Sequence, residues 1–345
     1  MKLREFQYYL KEKNLDAAFL VHPDINITYF TQYLPSFAFL LITPKKAELY
    51  LTSLDKKPQL SHITTKIMTK HWKKAVANTH YRRIGINKES LTIAYFTQLK
   101  KLWPKARFVD VSHQLEELRR RKTTLEIEKI QRACSITSRA MAELLRELPK
   151  RNLKTEQDVA FFLEKNIRDQ GAELAFPTIA ALGRNAAVPH HKTSTAPLKR
   201  GFLVLDFGAK YQYYCADMTR TIFIGTPTLQ EKKLYQLLLR SQQEAIQSLA
   251  KGIPFQQLDA QVRQRLGKYS HYFTHSLGHG IGVEVHEGPR FSDQRQKIQP
   301  QEVFTIEPGI YLPGKLGIRI EDTVVFTTKT KILTTFPKEL LCVKL

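Results

Sequence analysis

Cysteine is scarce in this 345-residue chain, which carries Cys134, Cys215 and Cys342. Three scattered thiols exclude a disulfide framework and a zinc ribbon, so we expect all three to be reduced and buried. Long apolar runs are also missing: Phe37 to Ile42 is among the longest, far short of the ~20 residues of a membrane span. The N-terminus is a charged amphipathic pattern and not a secretory signal. We therefore expect a cytoplasmic protein without a membrane segment.

Acidic residues are few relative to basic ones: 32 Asp and Glu against 54 Lys and Arg give a formal net charge of +22. Such a balance is typical of nucleic-acid-binding proteins. However, the sequence has no zinc finger, no glycine-rich phosphate loop and no aromatic RNA-binding block. Its basic pairs are dispersed, at Lys45-Lys46, Lys56-Lys57, Lys73-Lys74, Arg82-Arg83 and Lys100-Lys101. We therefore do not expect a nucleic-acid partner.

The length is typical of two domains. Within residues 1–120, short helical and strand patterns alternate, which predicts a small α/β domain with a mixed sheet. A basic segment at 118–122 then leads into a helix start, with Thr123 or Thr124 as the N-cap and Glu126 nearby. Helices and apolar strand blocks alternate through residues 121–345.

Five side chains that commonly bind metals stand in order in this second part of the chain. They are Asp206, Asp217, His279, Glu307 and Glu321. Four carboxylates and one imidazole in apolar or glycine-rich surroundings make a hard, mostly oxygen ligand set. Such a set suits two divalent cations that share bridging carboxylates. The residues alone therefore favour a two-metal hydrolase.

Two strands are predicted around the first pair of acids, at residues 202–207 and 213–224, with a tight turn at Tyr211-Gln212. This register places Asp206 directly opposite Asp217, with Cβ atoms about 5 Å apart on one face. Two exposed strand acids near a turn are the alternative interpretation. The apolar neighbours of both residues favour a cation between the two carboxylates.

The last two acids are expected at or near strand ends. Residues 317–326 are predicted to form one strand in which Arg319 and Glu321 share a face, so that the glutamate has a cation beside it. An ordinary arginine–glutamate pair is the alternative. Glu307 precedes Pro308, which restricts it to an extended backbone at the end of an apolar run.

A glycine-rich tract holds three candidate histidines, His275, His279 and His286. Alternate glycines between residues 278 and 282 argue against a helix and indicate a backbone that passes close to a ligand or another strand. A fourth candidate, His190, follows Pro189 in an unusually apolar tract. The other histidines are expected to be ordinary core or surface residues.

These residues lie in five blocks that resemble the signature blocks of the pita-bread metallopeptidases. The blocks are FPTIAALGRNAAVPHH, VLDFGAKYQYYCADMTRTIFIG, HSLGHGIGVEVHEGP, FTIEPGIY and GIRIEDTVV. More narrowly, they are similar to the branch that includes Xaa-Pro dipeptidases (prolidases) and Xaa-Pro aminopeptidases. The ligand spacings of 11, 62, 28 and 14 residues fit that branch. The resemblance is dense from about residue 120 onward and looser before it.

The resemblance implies a creatinase-like N-terminal α/β domain at residues 1–120 and a pita-bread (creatinase/aminopeptidase) catalytic domain at 121–345. It also implies two divalent metal ions per chain. Asp206 and Asp217 would bind one ion, His279 and Glu307 would bind the other, Glu321 would bridge both, and Asp217 would also reach the second ion. Manganese is the metal we expect first, and cobalt, iron or zinc would suit the same ligands.

The resemblance further implies roles around the metals. Glu307 would relay a proton, His190 and His286 would contact the scissile carbonyl, and Arg319 would support the site by hydrogen bonding. His275 is a candidate substrate-binding residue. Arg290 lies just past His286 and is a candidate partner for the carboxylate of a dipeptide. We also expect a homodimer.

Four functions remain open at this stage. A metal-dependent Xaa-Pro dipeptidase is the first, and a Xaa-Pro aminopeptidase acting on longer proline-containing peptides is the main alternative. A methionine aminopeptidase shares the ligand set, but the preceding domain of about 120 residues and the block HEGPRFS argue against it. A non-enzymatic binding module of the same fold would suit the positive charge, but such relatives generally lose metal ligands, and all five are present here.

Overall fold

A computed structural model of the chain describes residues 2–69, 80–293 and 295–344. The chain divides into two compact units, Met1–Arg119 and Arg120–Leu345. The predicted basic pair Lys73-Lys74, together with His71, lies outside the described residues. No helix in the described ranges combines the length and the apolar character that crossing a bilayer requires.

The first unit is built on a six-stranded mixed sheet in the order β4-β3-β2-β1-β5-β6. The strands are β1 (Ala17–Val21), β2 (Ala38–Ile42), β3 (Ala47–Leu51), β4 (Thr64–Ile67), β5 (Arg83–Ile86) and β6 (Arg107–Asp110). The helices are α1 (Lys2–Glu12), α2 (Ile25–Thr31), α3 (Ile93–Leu102) and α4 (Ser112–Arg120). Strands β1 to β3 are buried along their whole length, because apolar clusters cover the sheet. The predicted mixed-sheet α/β unit is confirmed.

The second unit contains two larger sheets and two small ones. Its strands are β7 (Glu173–Leu174), β8 (Ile179–Leu182), β9 (Gly201–Phe207), β10 (Ala209–Tyr211), β11 (Tyr214–Cys215), β12 (Met218–Ile224), β13 (His279–Gly280), β14 (Glu287–Arg290), β15 (Glu302–Ile306), β16 (Gly309–Leu312), β17 (Leu316–Arg319), β18 (Asp322–Phe326), β19 (Thr330–Ile332) and β20 (Cys342–Val343). The four-stranded sheet runs β20-β12-β9-β8, and the five-stranded sheet runs β14-β13-β15-β18-β19. Strands β11-β10-β7 and β16-β17 form the small sheets.

Two pairs of helices cover these sheets. They are α5 (Thr124–Glu147) with α6 (Glu156–Asp169), and α7 (Leu229–Gln247) with α8 (Phe255–Leu266). The first pair shares an apolar core with β8, β9 and β12, and the second pair shares one with β15 and the β16-β17 sheet. Helices α5, α6 and α7 each begin at a threonine N-cap with a capping box, which fixes where each helix starts.

The hairpin that carries the first two acids differs from the predicted register. Tyr211 pairs with Tyr214, and the two-residue turn is Gln212-Tyr213, with φ of 46° and 72°. Asp206 therefore lies opposite Thr219, not Asp217. The predicted turn and direct pairing are wrong, because two non-glycine residues adopt the left-handed backbone that a two-residue hairpin requires. Asp217 lies two residues before Thr219, so it is diagonal to Asp206 on the same face of the sheet.

The predicted single strand at residues 317–326 is two strands. Strand β17 ends at Arg319 and β18 begins at Asp322, so Ile320 and Glu321 lie between them. The backbone N–H of Glu321 donates to the carbonyl of Thr219 on β12 (3.1 Å), outside its own sheet. This break turns Glu321 toward the hairpin that carries the aspartates.

Candidate active site and metal centre

One cavity of about 650 Å³ in the second unit collects the candidate residues. All ten line it: His190, Asp206, Asp217, His275, His279, His286, Arg290, Glu307, Arg319 and Glu321. They arrive from five strand regions: β9, the start of β12, the β13-β14 pair, the end of β15 and the break after β17. His190 comes from the loop between β8 and β9, and His275 comes from the segment before β13. The fold thus brings together residues that are spread over more than a hundred positions of sequence.

The centre of the cavity has the geometry of a metal site. Asp217, His279 and Glu321 each offer one ligand atom, and these atoms all lie within 4.8 Å of one another. Nε2 of His279 lies 3.6 Å from Oδ2 of Asp217 and 3.5 Å from Oε1 of Glu307. Ligand atoms that share one cation at bond lengths of about 2.0–2.2 Å are separated by distances of this order. Four of the five predicted ligands therefore converge directly.

The carboxylates of this centre repel one another. Burial, with added repulsion from Asp206, raises the pKa of Glu321 to about 7. Burial and the Glu321 carboxylate raise the pKa of Asp217 and of Glu307 well above their ordinary values. Ionising several buried carboxylates that lie close together is costly. A bound cation lowers this cost because its charge attracts the ionised form.

Three buried carboxylate oxygens that lack a hydrogen-bond partner among the residues described also indicate a bound cation. Oδ1 of Asp206, Oδ1 of Asp217 and Oε1 of Glu321 are buried and have no hydrogen-bond partner within the described parts of the chain. Buried polar atoms are rarely left unpaired, because the lost hydration is costly. Three such oxygens in one cavity, beside an imidazole nitrogen, fit divalent cations.

The imidazole of His279 is held in its neutral form, which is the form that binds a metal ion. Burial, with the neighbouring His286, lowers its pKa to about 3. Nδ1–H of His279 donates to the carbonyl of Gly280 (3.1 Å), which leaves Nε2 directed at the acids. A Cβ on Gly278 would lie 2.0 Å from the carbonyl oxygen of Thr305, and one on Gly280 would meet Gly288 at 2.1 Å. Only glycine permits the close strand contact that the tract was predicted to make.

Arg319 holds two of the acids in place. Its Nη2 lies 2.5 Å from Oδ2 of Asp206, and its Nε donates to Oγ1 of Thr219 (2.9 Å). The Thr219 hydroxyl donates in turn to Oε2 of Glu321 (2.8 Å). The expected partner of Arg319 was Glu321. Arg319 instead pairs with Asp206 and reaches Glu321 through Thr219, while its positive charge partly offsets the rise in the pKa of Glu321.

A tyrosine links Arg319 to His275. Nη1 of Arg319 donates to the Tyr311 hydroxyl (2.9 Å), which donates to Nε2 of His275 (2.8 Å), while Nδ1–H of His275 donates to the carbonyl of Ser276 (2.9 Å). Burial, with the charge of Arg319, lowers the pKa of His275 to about 4. Burial raises the pKa of Tyr311 to about 12. Both rings are therefore neutral, and both nitrogens of His275 have partners.

Sequence reasoning missed Tyr311 and Thr219 as site residues. Tyr311 lies four residues after Glu307 in the block FTIEPGIY, and Thr219 lies two residues after Asp217. Their position inside the blocks that carry the predicted metal ligands is the sequence feature that could have identified them. A single polar residue in a strand gives no other indication of a functional role.

The more exposed candidates surround this centre. The ring centroid of His286 lies 4.2 Å from that of His279, and burial lowers the pKa of His286. Arg290 ends β14 and pairs across the strands with His279. His190 is exposed to the cavity. Apolar side chains complete the walls: Phe176, Ile179, Val285 and Phe291.

A buried ion pair supports the wall next to His286. Nζ of Lys122 lies 3.0 Å from Oε1 of Glu287, and both side chains are 1% exposed. Lys122 also donates to the carbonyl of Arg120 (3.2 Å). Sequence reasoning assigned Lys122 only to a basic boundary segment and did not single out Glu287.

Comparison with known proteins agrees with this geometry. Residues 128–328 match metallopeptidase family M24, and residues 2–121 match the creatinase/prolidase N-terminal domain. The Xaa-Pro dipeptidase of Pyrococcus horikoshii is 35% identical to this chain, over 99% of this chain and 98% of the relative. The Xaa-Pro dipeptidase of Pyrococcus furiosus is 33% identical, over 99% of each.

Solved structures give the same result. The prolidase from Pyrococcus horikoshii matches with a TM-score of 0.91 at 34% identity, covering 99% of each chain. An X-Pro aminopeptidase from Thermotoga maritima matches with a TM-score of 0.90 at 32% identity, also covering 99% of each chain. The predicted combination of a creatinase-like N-terminal domain with a pita-bread domain is confirmed. The chain belongs to metallopeptidase family M24 and to its prolidase branch.

Proposed function

We propose that this metallopeptidase is a Xaa-Pro dipeptidase, which hydrolyses the bond between a first residue and a C-terminal proline. The observation that carries the proposal is one cavity that is lined both by the candidate metal ligands and by His190, His286 and Arg290. Relatives named Xaa-Pro dipeptidase, similar over nearly their whole length, support it. We further propose residues 121–345 as the catalytic domain and residues 1–120 as the N-terminal domain.

The residues that would hold metal are those whose ligand atoms converge, or whose buried oxygens have no hydrogen-bond partner among the described residues. We propose two divalent ions: His279 and Glu307 would hold one, Asp206 would hold the other, and Asp217 and Glu321 would serve both. Oδ2 of Asp206 is engaged by Arg319, which leaves Oδ1 as its ligand atom. We propose manganese as the native metal, because mixed carboxylate and imidazole ligands suit it. When bound, the ions supply Lewis acidity and lower the pKa of water.

The protein groups would orient the substrate and move the proton. Glu307, with its two oxygens facing His279 and His275, accepts the proton of the attacking water and passes it to the proline nitrogen. His190 and His286 donate hydrogen bonds to the oxygen of the scissile carbonyl as charge develops on it. Arg319 keeps Asp206 fixed and sustains the Tyr311–His275 contact during the reaction.

The proline side chain requires an apolar surface. Phe176, Ile179, Val285 and Phe291 supply one along the cavity wall. Because both nitrogens of His275 already have partners, we propose that His275 contributes a ring face and not a hydrogen bond to the substrate. The guanidinium group of Arg290 would pair with the free carboxylate of a dipeptide.

The second candidate is a Xaa-Pro aminopeptidase that acts on longer peptides. It is supported by the similarity to the X-Pro aminopeptidase of Thermotoga maritima, nearly as strong as that to the prolidase. A peptide that continues past proline carries no carboxylate at the position of Arg290. The two activities therefore differ in whether the substrate offers a carboxylate to Arg290.

Two measurements on the full chain loaded with Mn²⁺ test the proposal. Release of free proline from Ala-Pro is compared with release of alanine from Ala-Pro-Ala, and the bound metal is counted. We expect about two ions per chain and a preference for Ala-Pro of roughly tenfold or more in kcat/KM, the size of one charge-assisted contact. Rough parity between the peptides would assign the aminopeptidase. No metal after reconstitution would favour a binding module, and preference for an N-terminal methionine would favour a methionine aminopeptidase.

We also propose a cellular compartment for the enzyme. Cys134 and Cys215 are free and buried, whereas Cys342 is free but exposed, so the expectation of a buried thiol is wrong for Cys342. The free thiols support a reducing, cytoplasmic environment. The expected homodimer and the expected lack of a nucleic-acid partner stay predictions.

A further inference from the structure

Glu156 is a fully buried acid that the catalytic centre does not use. It is the first residue of α6 and is 0% exposed. Thr155 caps the helix and forms a capping box with Asp158, so the backbone of Glu156 is fixed from both sides. Its carboxylate lies against the loop that joins β8 to β9. A buried carboxylate needs hydrogen-bond donors around it, and this loop supplies them.

The carboxylate accepts five hydrogen bonds, all from residues 182–194. Oε1 binds the start of the segment: the N–H of Leu182 (2.7 Å) and Nδ2 of Asn185 (2.9 Å). Oε2 binds its end: Nε2 of His191 (3.1 Å) and the hydroxyl (2.8 Å) and N–H (3.3 Å) of Ser194. One side chain thus ties together the two ends of segment 182–194, which covers the first part of this loop.

The helix backbone adds to this attachment. The N–H groups of Glu156 and Gln157 donate to the carbonyls of Ala196 and Ser194, both at 3.0 Å. The first N–H groups of a helix have no partner within the helix, so the loop satisfies them. The opposite side of the loop meets the catalytic centre. There Nη1 of Arg319 donates to the carbonyl of Pro189 (3.3 Å).

His190 depends on this loop for its position. Its ring is exposed and lines the cavity, and no hydrogen bond from it is found among the described residues. It is flanked by Pro189, held by Arg319, and by His191, held by Glu156. The backbone of this loop therefore sets where the side chain of His190 begins.

We propose that Glu156 is a positioning residue for His190: it closes the loop of residues 183–194 so that His190 faces the metal centre. The assignment of His190 to the scissile carbonyl rests on the proposed function, whereas the attachment of the loop does not. Catalytic groups work when neighbouring packing and hydrogen bonds hold them in place before substrate arrives. Loss of Glu156 would then lower the rate without removing a catalytic group or a metal ligand.

Hydrogen–deuterium exchange tests the attachment without using activity. Glu156→Gln keeps the shape of the side chain but replaces one acceptor oxygen with a donor. We expect faster exchange in residues 183–194 than in the wild type, with exchange in α7 unchanged, because local opening raises exchange locally. Glu143→Gln is the matched control, since Glu143 is an exposed helical glutamate paired with Arg146. Unchanged exchange in the loop would overturn the proposal.

A double-mutant cycle on Ala-Pro cleavage tests the link to His190. We expect Glu156→Gln to retain wild-type metal content and KM within about twofold, and to lose on the order of 10–100-fold in kcat, since a displacement of about 1 Å has effects of this size. In the His190→Ala background, Glu156→Gln should cost almost nothing more, because the group it positions is gone. Losses that multiply in the double variant would overturn the positioning role.

Two further outcomes are distinguishable. If Glu156→Gln fails to fold, Ser194→Ala, which removes one of the five donors, takes its place in both experiments with smaller expected effects. If the wild type cleaves neither Ala-Pro nor Ala-Pro-Ala while metal is bound, the proposed function fails. The exchange measurement then still decides whether Glu156 closes the loop.

Discussion

The hydroxyl group of Tyr311 lies 2.8 Å from Nε2 of His275. It accepts a hydrogen bond from Nη1 of Arg319 (2.9 Å), so its own hydrogen is available to donate to His275. The single hydroxyl therefore fixes the tautomer of His275, whose Nδ1–H is committed to Ser276. Rings that line a reaction cavity must be held in one orientation to be useful. Through the charged guanidinium of Arg319, this contact joins the neutral pair Tyr311 and His275 to Asp206 in the acid centre.

Tyr311→Phe is expected to lower kcat/KM on Ala-Pro by about tenfold while leaving the metal content unchanged. The variant removes a hydrogen bond to a charged guanidinium, worth about 1.5–3 kcal/mol, but no metal ligand. Steady-state kinetics and metal analysis of the same preparation measure both effects. Tyr8→Phe, at an exposed position on α1, is the control. Loss of metal from Tyr311→Phe would mean that the hydroxyl supports the ligands themselves.

Asp217→Asn and Glu321→Gln are expected to abolish turnover and to release at least one metal ion while the chain stays folded. Each variant removes a proposed shared ligand from the cluster with His279, and an amide is a poorer ligand for a hard cation. Metal counting, activity and circular dichroism give the three readouts. Retention of more than about a tenth of the wild-type kcat at saturating metal would contradict the sharing of that ligand, because a bridging group acts on both ions.

His190→Ala and His286→Ala are expected to keep both ions and to lose on the order of 10²–10³-fold in kcat. Removal of one group that stabilises a developing oxyanion has an effect of this size. Neither residue belongs to the cluster of ligand atoms. His113→Ala, on the exposed face of α4, serves as the control. A marked loss of metal in either variant would reassign that histidine as a ligand.

Lys122→Met is expected to lower the free energy of unfolding by about 3–5 kcal/mol, because it removes the ammonium group that pairs with the buried Glu287 carboxylate. The double variant Lys122→Met with Glu287→Gln should regain much of this loss, since the buried carboxylate charge is also removed. Denaturant unfolding of the full chain measures both, with Lys233→Met on the exposed face of α7 as the control. A double variant no more stable than Lys122→Met alone would argue against charge as the cause.

The candidate centre was predictable because its chemistry is local in sequence. Asp206 and Asp217 lie in one hairpin, and His279, Glu307 and Glu321 each lie in a short apolar or glycine-rich block. Period-two patterns locate such strands even when their pairing is unknown. For this reason all ten candidate residues could be named in advance, although their individual roles stay predictions.

Register and strand breaks were not predictable from the same patterns. Gln212 and Tyr213 adopt left-handed backbone without the glycine or asparagine that usually marks such a turn. The predicted turn is therefore one residue too early, and the predicted partner of Asp206 is two residues away from the observed one. The break after Arg319 depends on the carbonyl of Thr219, which belongs to a distant strand. Nothing in the local sequence encodes that contact.

Buried charges were missed for a related reason. Lys122, Glu156 and Glu287 are residue types that almost always lie at the surface. Each is buried here because it meets a partner from elsewhere in the chain: Lys122 meets Glu287, and Glu156 meets the loop before β9. Only the folded chain reveals such pairs.

Arg290 is expected to decide between dipeptides and longer peptides. Its pairing with His279 across β13 and β14 locates it beside the proposed metal centre. If its guanidinium binds the carboxylate of a dipeptide, Arg290→Ala should raise KM for Ala-Pro and leave kcat less affected, because the contact is equally present in the ground and transition states. A charge-assisted contact of about 1.5–3 kcal/mol corresponds to roughly ten- to a hundredfold in kcat/KM.

Cleavage of Ala-Pro-Ala by Arg290→Ala should be unchanged or improved, since that peptide has no carboxylate at this position. Arg295→Ala is the matched control, because Arg295 lies in the same segment, is exposed and pairs with Asp293. Kinetics of both peptides with all three proteins make the comparison. Equal losses on the two peptides would show that Arg290 supports the cavity in general, and no loss on either would remove it from substrate binding. In both cases the preference for dipeptides would have to come from another residue of the cavity wall.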